Sequence, residues 1–398
     1  MKVPYFVPSV DEDDIANVQR IMRSGWLTTG LEVKNFETAF SNYIGSKFCV
    51  AVNSATAALH LSVLASKIKT GDSVLVPTMT FASTAEVLFY CGVKPILVDC
   101  NSKDLTLDLS DAERKLQLAE KNGAKVSGII PVHYAGKMVD MDAVEDFADR
   151  HRLEIIEDAA HCMNSQYFSK KYNQWLNKGK KSITQCYSFY CNKCITTCGE
   201  GGMVCTDSEE VAHTIKCLSL HGLSTDAWNR FSSKGNSFYD ISQNGYKYNL
   251  TDVAASMGCS QLKKAELLKN KRAKAVNLYR KLLQNHPFIH LLDDEPEKFK
   301  SSYHLFVIRY EQPDATRPSR DQLLQLLKEN DITPSVHWKP LHLHSFYQKQ
   351  GFKSEDFPNA TRVFNEIISL PLFPDITEEQ IVYVVNTINR LLHVEKSF

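Results

Sequence analysis

The stretch KVSGIIPVHYAGKMVDMDAVEDFADRHRLEIIEDAAH, residues 125–161, decides the fold. It opens on a β-branched run, KVSGIIPVH (125–133), and passes through a helical pattern, VDMDAVEDFADRHR. It closes on a second apolar run, LEIIEDAAH (153–161). Two nearly continuous apolar runs joined by an amphipathic segment are what a βα unit of a parallel sheet requires, because its strands are covered on both faces. The same alternation extends outward. FCVAVN (48–53) precedes ATAALHLSVLASKI, SVLVPT (73–78) precedes STAEVLFYCG, and KPILVDC (94–100) follows. The fold class is therefore α/β, a large domain built on a mostly parallel central sheet.

From Thr251 the texture changes. A long helical stretch, TDVAASMGCSQLKKAELLKNKRAKAVNLYRKLLQN, is followed by a strand candidate, HLFVIRY, and by the helical SRDQLLQLLKEND. TEEQIVYVVNTINRLLHV then sets Ile381, Val384, Val385 and Ile388 at helical spacing, the mark of a packed amphipathic helix. Residues 250–398 read as a smaller C-terminal α+β domain and residues 1–249 as the large one. An N-terminal helix is expected over 11–25, with Ile15, Val18 and Met22 on one face and Gly25 at its end. Two polar stretches, 165–184 and 224–243, read as surface loops.

Composition narrows the partners. Lys+Arg and Asp+Glu both number 46, so the formal charge is zero, which argues against nucleic acid as the main partner. No apolar run approaches the roughly 20 residues that cross a bilayer. MKVPYFVPSVDEDD has no apolar core of a signal peptide, so a cytoplasmic protein is expected. Eleven cysteines without regular spacing fit reduced thiols better than a disulfide framework.

Ligands of open α/β sheets bind beyond the carboxyl ends of the strands, and several polar residues fall there. NSAT (53–56) lies between a strand and a helix, where backbone N–H groups and the Ser54 and Thr56 hydroxyls make an anion site. Taken alone it reads as a helix cap. Asp158 ends LEIIED and can either pair with a ring nitrogen or cap the next helix, and His161 extends the same face. CYSFYCNKCITTCGEGG (186–202) offers two chemistries. Cys191, Cys194 and Cys198 form C-x2-C-x3-C, which overlaps with cluster-binding runs, but no second group follows at zinc-site spacing. Lys193, on a turn after a strand, is placed to form a Schiff base, and a surface lysine is the alternative. Phosphate cradle, strand-end acid and lysine together are the protein parts of a pyridoxal phosphate site; no metal is expected.

These residues carry a resemblance. SGWLTTG (24–30), NSATAALHL (53–61), PTMTFASTAEVLFYCGVKPILVDC (77–100), PVHYAG (131–136), EDAAH (157–161), YSFYCNK with GEGGM (187–203), GYKYNLTD (245–252), VHWKPLH (336–342) and SLPLFPDIT (369–377) occur in one order and spacing. The chain resembles the sugar-nucleotide aminotransferases of the DegT/DnrJ/EryC1/StrS family, within the fold type I pyridoxal-phosphate transferases. The resemblance implies that Lys193 carries the cofactor and moves protons, and that Asp158 pairs with its ring nitrogen. It puts His161 near the phenolic oxygen and Phe81 on the ring face, with Ala55, Thr56 and Ser188 on the phosphate. Asn249 would reach the phosphate of a neighbouring subunit in a homodimer with shared sites. Thr29, Lys247 and His337 would contact the sugar nucleotide.

The implied activity is amino transfer, with glutamate as donor, to a keto sugar on a nucleoside diphosphate. GYKYN points to 4-keto-6-deoxy sugars, and the product would serve a surface glycan such as a lipopolysaccharide O-antigen, or a secondary metabolite. A cofactor-binding regulator without turnover is the alternative, and the intact Lys193 and Asp158 speak against it. The sequence departs from the family pattern in two places: five residues, CITTC, separate Lys193 from GEGG where four are usual, and GYKYN stands where GYNYR is common.

Overall fold

The computed structural model of the protein describes residues 1–223 and 240–394. Helices α1 (Glu12–Ser24) and α2 (Leu31–Ile44) lead into β1 (Phe48–Val52) and α3 (Ala55–Leu64). There follow β2 (Ser73–Pro77), α4 (Ser83–Tyr90), β3 (Lys94–Val98), α5 (Leu109–Lys121), β4 (Val126–Ile129), α6 (Met141–His151) and β5 (Glu154–Asp158). A hairpin of β6 (Gln166–Ser169) and β7 (Gln174–Leu176) precedes β8 (Thr184–Ser188), β9 (Gly202–Thr206) and α7 (Glu209–Ser219).

Seven strands form the central sheet in the order β1-β9-β8-β5-β4-β2-β3. Only β9 runs against the rest, pairing antiparallel with both β1 and β8. Every residue of β2, β8 and β9 is buried, as the apolar runs required. Helix α3 is sunk into the molecule, with Ala57 through Val63 all buried. Asp158 of β5 lies in register with Cys186 of β8. The parallel β5 and β8 therefore bring Asp158 and the turn carrying Lys193 to one edge of the sheet.

Beyond the large sheet come α8 (Asp252–Lys263), α9 (Ala265–Leu283), β10 (Ile289–Leu291), β11 (Phe299–Lys300), β12 (Phe306–Tyr310) and α10 (Arg320–Glu329). The chain ends through α11 (Ser345–Lys349), α12 (Pro358–Phe364), β13 (Ile367–Leu370) and α13 (Glu378–Leu391). Strands β10, β12 and β13 make a small sheet whose core includes Ile308, Ile368, Tyr279, Leu327 and Ile388. The expected face of α13 holds: Ile381, Val384, Val385 and Ile388 are all buried.

Four expectations change. The long helical stretch after Thr251 is two helices that meet at Lys264. The division after residue 249 falls inside a packed cluster, because Leu250, Ala255, Leu262, Ala265 and Leu268 pack with Phe36, Phe40, Tyr187 and Phe189. The stretch 165–184 holds the β6–β7 hairpin, which joins β11 in a third sheet. Alternate burial of Tyr167 and Ser169 is enough to seat that hairpin despite its polar sequence. Helix α1 differs in orientation. Ile21 and Asp14 are buried, whereas Ile15 is 51% and Met22 63% exposed. The other polar stretch, 224–243, lies mostly outside the described residues.

Candidate active site

A cavity of about 420 Å³ opens at the carboxyl edge of β5 and β8, within the size range of small-molecule sites. Ala55, Thr56, Phe81, Asp158, His161, Ser188, Lys193 and His337 all line it. Eight of the eleven residues singled out in the sequence thus converge on one space.

Lys193 sits on the turn after β8, and its own N–H donates to the Tyr190 carbonyl at 2.8 Å. The loop then folds back: Cys191 N–H donates to Gly199 O and Phe189 N–H to Gly201 O. The five residues before GEGG close through two successive left-handed residues, Cys198 (φ 59°) and Gly199 (φ 100°). The loop's additional length therefore goes into the return of the turn. Burial lowers the Lys193 ammonium from 10.5 to about 8, against the pull of Asp158, so about a tenth of the amine is unprotonated at pH 7 where an ordinary lysine would have almost none.

Asp158 is 4% exposed. Its Oδ2 accepts from Thr84 Oγ1 at 2.8 Å and its Oδ1 from the Ala160 N–H at 3.1 Å. Burial pushes its carboxyl up; the Thr84 and Ala160 hydrogen bonds and the charge of Lys193 hold it down. Behind it, Glu157 accepts from Gly179 N–H at 2.8 Å and Gln185 Nε2 at 3.3 Å, and pairs with His133 Nε2 at 2.8 Å. Because His133 Nδ1 accepts from the Val139 amide, its Nε2 is the protonated nitrogen.

At the other end, Ser54 caps α3 by accepting from the Ala57 N–H at 3.1 Å, leaving the Ala55 and Thr56 end of the helix at the cavity. Such an N-terminus attracts an anion. His161 stacks on Trp338 (4.8 Å, 27°) and lies 4.2 Å from the His304 ring. Burial, with Lys193 nearby, pushes the His161 and His304 imidazoles well below their usual range. Both nitrogens of His337 are engaged within the chain, Nδ1 with Ser369 Oγ at 2.9 Å and Nε2 with Tyr5 OH at 3.3 Å. Burial lowers this ring to about 4. Phe81 stands at the mouth, 59% exposed.

Three residues are placed elsewhere. Asn249 Nδ2 donates to Thr29 Oγ1 at 2.7 Å, and both line a second, wider cleft between α2 and α7. Lys247 is exposed on a neighbouring segment. Sequence reasoning missed Thr80, Thr84, Trp338 and His304. The i, i+4 spacing of the two threonines was the one signal for them, and isolated hydroxyls rarely mean much.

The donor set fits a phosphorylated, cationic-ring cofactor such as pyridoxal phosphate. His161 Nδ1 and Asn192 Oδ1 are buried without a hydrogen-bond partner, and both residues line the cavity. An acid, an amine with a lowered pKa and a helix N-terminus complete the complement. The cysteine alternative gains no support from the geometry. Among the described residues no group of three or more His, Cys, Asp or Glu is placed to hold a metal ion, and all 11 cysteines are free thiols.

Comparison with known proteins agrees with this geometry. The family model for the DegT/DnrJ/EryC1/StrS aminotransferases matches residues 8–389. An uncharacterized protein of Methanocaldococcus jannaschii, MJ1066, is 40% identical over 391 residues, 98% of this chain and 97% of that one. The spore coat polysaccharide biosynthesis protein SpsC of Bacillus subtilis is 35% identical over 396 residues, 98% and 97% of the two chains. Among solved structures, the putative sugar aminotransferase Spr1654 of Streptococcus pneumoniae in its PLP-form superposes with a TM-score of 0.88 at 29% identity, covering 100% of both chains. It has also been solved in a PMP-form. The fold is that of the type I transferases, and the chain belongs to the DegT/DnrJ/EryC1/StrS aminotransferase family.

Proposed function

We propose that the protein is a pyridoxal-phosphate-dependent aminotransferase that moves an amino group from L-glutamate to the keto group of a nucleotide-linked hexose, a 4-keto-6-deoxy sugar. The observation that carries this reading is the convergence of Lys193, its ammonium lowered to about 8, and the buried Asp158 on one cavity with a helix N-terminus at its wall. When bound, pyridoxal phosphate supplies an electron sink that makes a carbon next to nitrogen acidic.

The chain supplies the rest. The N-terminus of α3 and Ser188 bind the phosphate, and the Asp158 carboxylate keeps the ring nitrogen protonated. Lys193 Nζ takes a proton from the donor's α-carbon and later returns one to the sugar carbon. His161, held neutral, offers a hydrogen bond rather than a competing charge. Relatedness to a spore coat polysaccharide protein supports a glycan as the product's destination.

Our reading includes a homodimer in which Thr29, Lys247 and Asn249 serve the partner's cavity. None of the three lines the cavity that holds Lys193 in its own chain, which supports it, as do the exposed apolar side chains of Ile15, Met22, Leu27 and Leu31. The eleven free thiols favour the cytoplasm, and no helix among the described residues is long and apolar enough to cross a membrane.

The test is the absorbance spectrum of protein loaded with pyridoxal phosphate, before and after excess glutamate. A visible band that glutamate bleaches, and that Lys193→Ala lacks, is expected. A wild type whose band ignores every amino acid would mark a cofactor-binding protein without turnover.

A further inference from the structure

Thr80 and Thr84 form a hydroxyl chain that ends on Asp158. Thr84 Oγ1 lies 2.7 Å from Thr80 Oγ1 and donates to Asp158 Oδ2 at 2.8 Å. Thr80 is 1% and Thr84 0% exposed, so water does not substitute for either contact. A threonine inside a helix can turn its hydroxyl back onto the carbonyl four residues before it. Thr84 instead spends its one proton on a residue 74 positions away, on a different element.

The protons in this chain have only one arrangement. An ionised carboxylate accepts and cannot donate, so the Thr84 proton points at Asp158. The hydrogen between the two hydroxyls must then come from Thr80, whose oxygen is left as an acceptor at the cavity wall. With Oδ1 held by the Ala160 amide and Oδ2 by Thr84, the Asp158 carboxylate is fixed about its last torsion. Each oxygen keeps a further lone pair for a ligand.

We propose that Thr84, its hydroxyl aimed by Thr80, is a positioning residue that fixes the orientation of the Asp158 carboxylate toward the ring nitrogen of the cofactor. This rests on the function proposed above. Thr84 touches neither cofactor nor substrate, since it does not line the cavity, and it acts through Asp158 alone. The hydrogen bond also favours the ionised carboxylate against the burial that opposes it.

The experiment compares Thr84→Val, Thr84→Ser and Thr80→Val in pyridoxal phosphate affinity and in the pH titration of the bound cofactor's absorbance. Loss of one hydrogen bond to a charged acceptor predicts affinity weakened about tenfold or more in Thr84→Val. Its titration should move to lower pH, because the ring nitrogen loses its proton more easily beside a misplaced partner. Thr84→Ser should stay near wild type, and Thr80→Val should fall between them. In an Asp158→Asn background, Thr84→Val should add little, since its effect runs through the carboxylate. A Thr84→Val protein with wild-type affinity and titration overturns the inference, as does an undiminished effect in the Asp158→Asn background. A wild type that binds no pyridoxal phosphate defeats the underlying function instead, so the two failures read differently.

Discussion

Gly202 and Ser54 meet so closely that a Cβ on Gly202 would fall 2.5 Å from the carbonyl carbon and oxygen of Ser54. The contact is backbone against backbone, so no flexible side chain can yield. It presses the start of β9 onto the N-cap of α3 and sets the height of the proposed phosphate cradle above the sheet. Gly202→Ala should therefore cost about 1–3 kcal/mol, the usual range for overpacking a close-packed site. Denaturant unfolding would read that cost, and titration with pyridoxal phosphate should show weakened binding alongside it.

Lys193 gives a pH prediction. Its amine must be unprotonated to react, and burial lowers its ammonium from 10.5 to about 8. The rate of loading apo-protein with pyridoxal phosphate should rise with pH and level off just above 8, instead of climbing toward 10.5. The same shift affects stability. Between about 8 and 10.5 the unfolded chain binds this proton and the folded one does not, so this group makes folding more favourable as pH rises through that window. Lys193→Met should flatten both profiles, and a loading profile unchanged by that substitution would rule the lysine out as the reacting amine.

The strands that could be read directly were those whose burial is total or nearly so. SVLVP became β2 with all five residues buried, because a strand covered on both faces leaves an unbroken apolar run. The β6–β7 hairpin was hidden for the opposite reason, since only alternate residues of QYFS face inward. Lys193 and Asp158 were legible because each follows an apolar strand at the sheet's ligand-binding edge. Thr84 was not: its partner lies 74 residues away at the end of a strand that α4 does not follow, and only the folded chain brings the two together. Ile15 and Met22 misled for a related reason. Their spacing marked an apolar face, but one chain does not show that the face is left exposed.

Glu157 and His133, each 0% exposed, make a second prediction about stability. Glu157→Ala leaves the Gly179 amide, the Gln185 side chain and the His133 ring without their acceptor. Orphaned buried donors and a broken buried pair together should cost about 3–5 kcal/mol, seen as a lower denaturation midpoint. Because Glu157 adjoins Asp158 on β5, cofactor affinity should fall with it. A midpoint within experimental error of wild type would mean that water replaces all three contacts.

Asn249 and Lys193 provide the test of a shared site. In one chain Asn249 lines the cleft beside Thr29, while Lys193 lines the other cavity. If each cavity draws its Asn249 from the partner, Lys193→Ala and Asn249→Ala homodimers are both impaired, for different reasons. Mixing them under conditions that exchange subunits would pair one intact Lys193 with one intact Asn249. Random pairing makes half the dimers mixed, each with one good site of two, so turnover should recover to roughly a quarter of wild type. The mixture should show this rise only after exchange, and neither parent should show it alone. If turnover never rises although exchange is verified by mass, Asn249 serves its own chain, and the wide cleft between α2 and α7 must be explained without a partner.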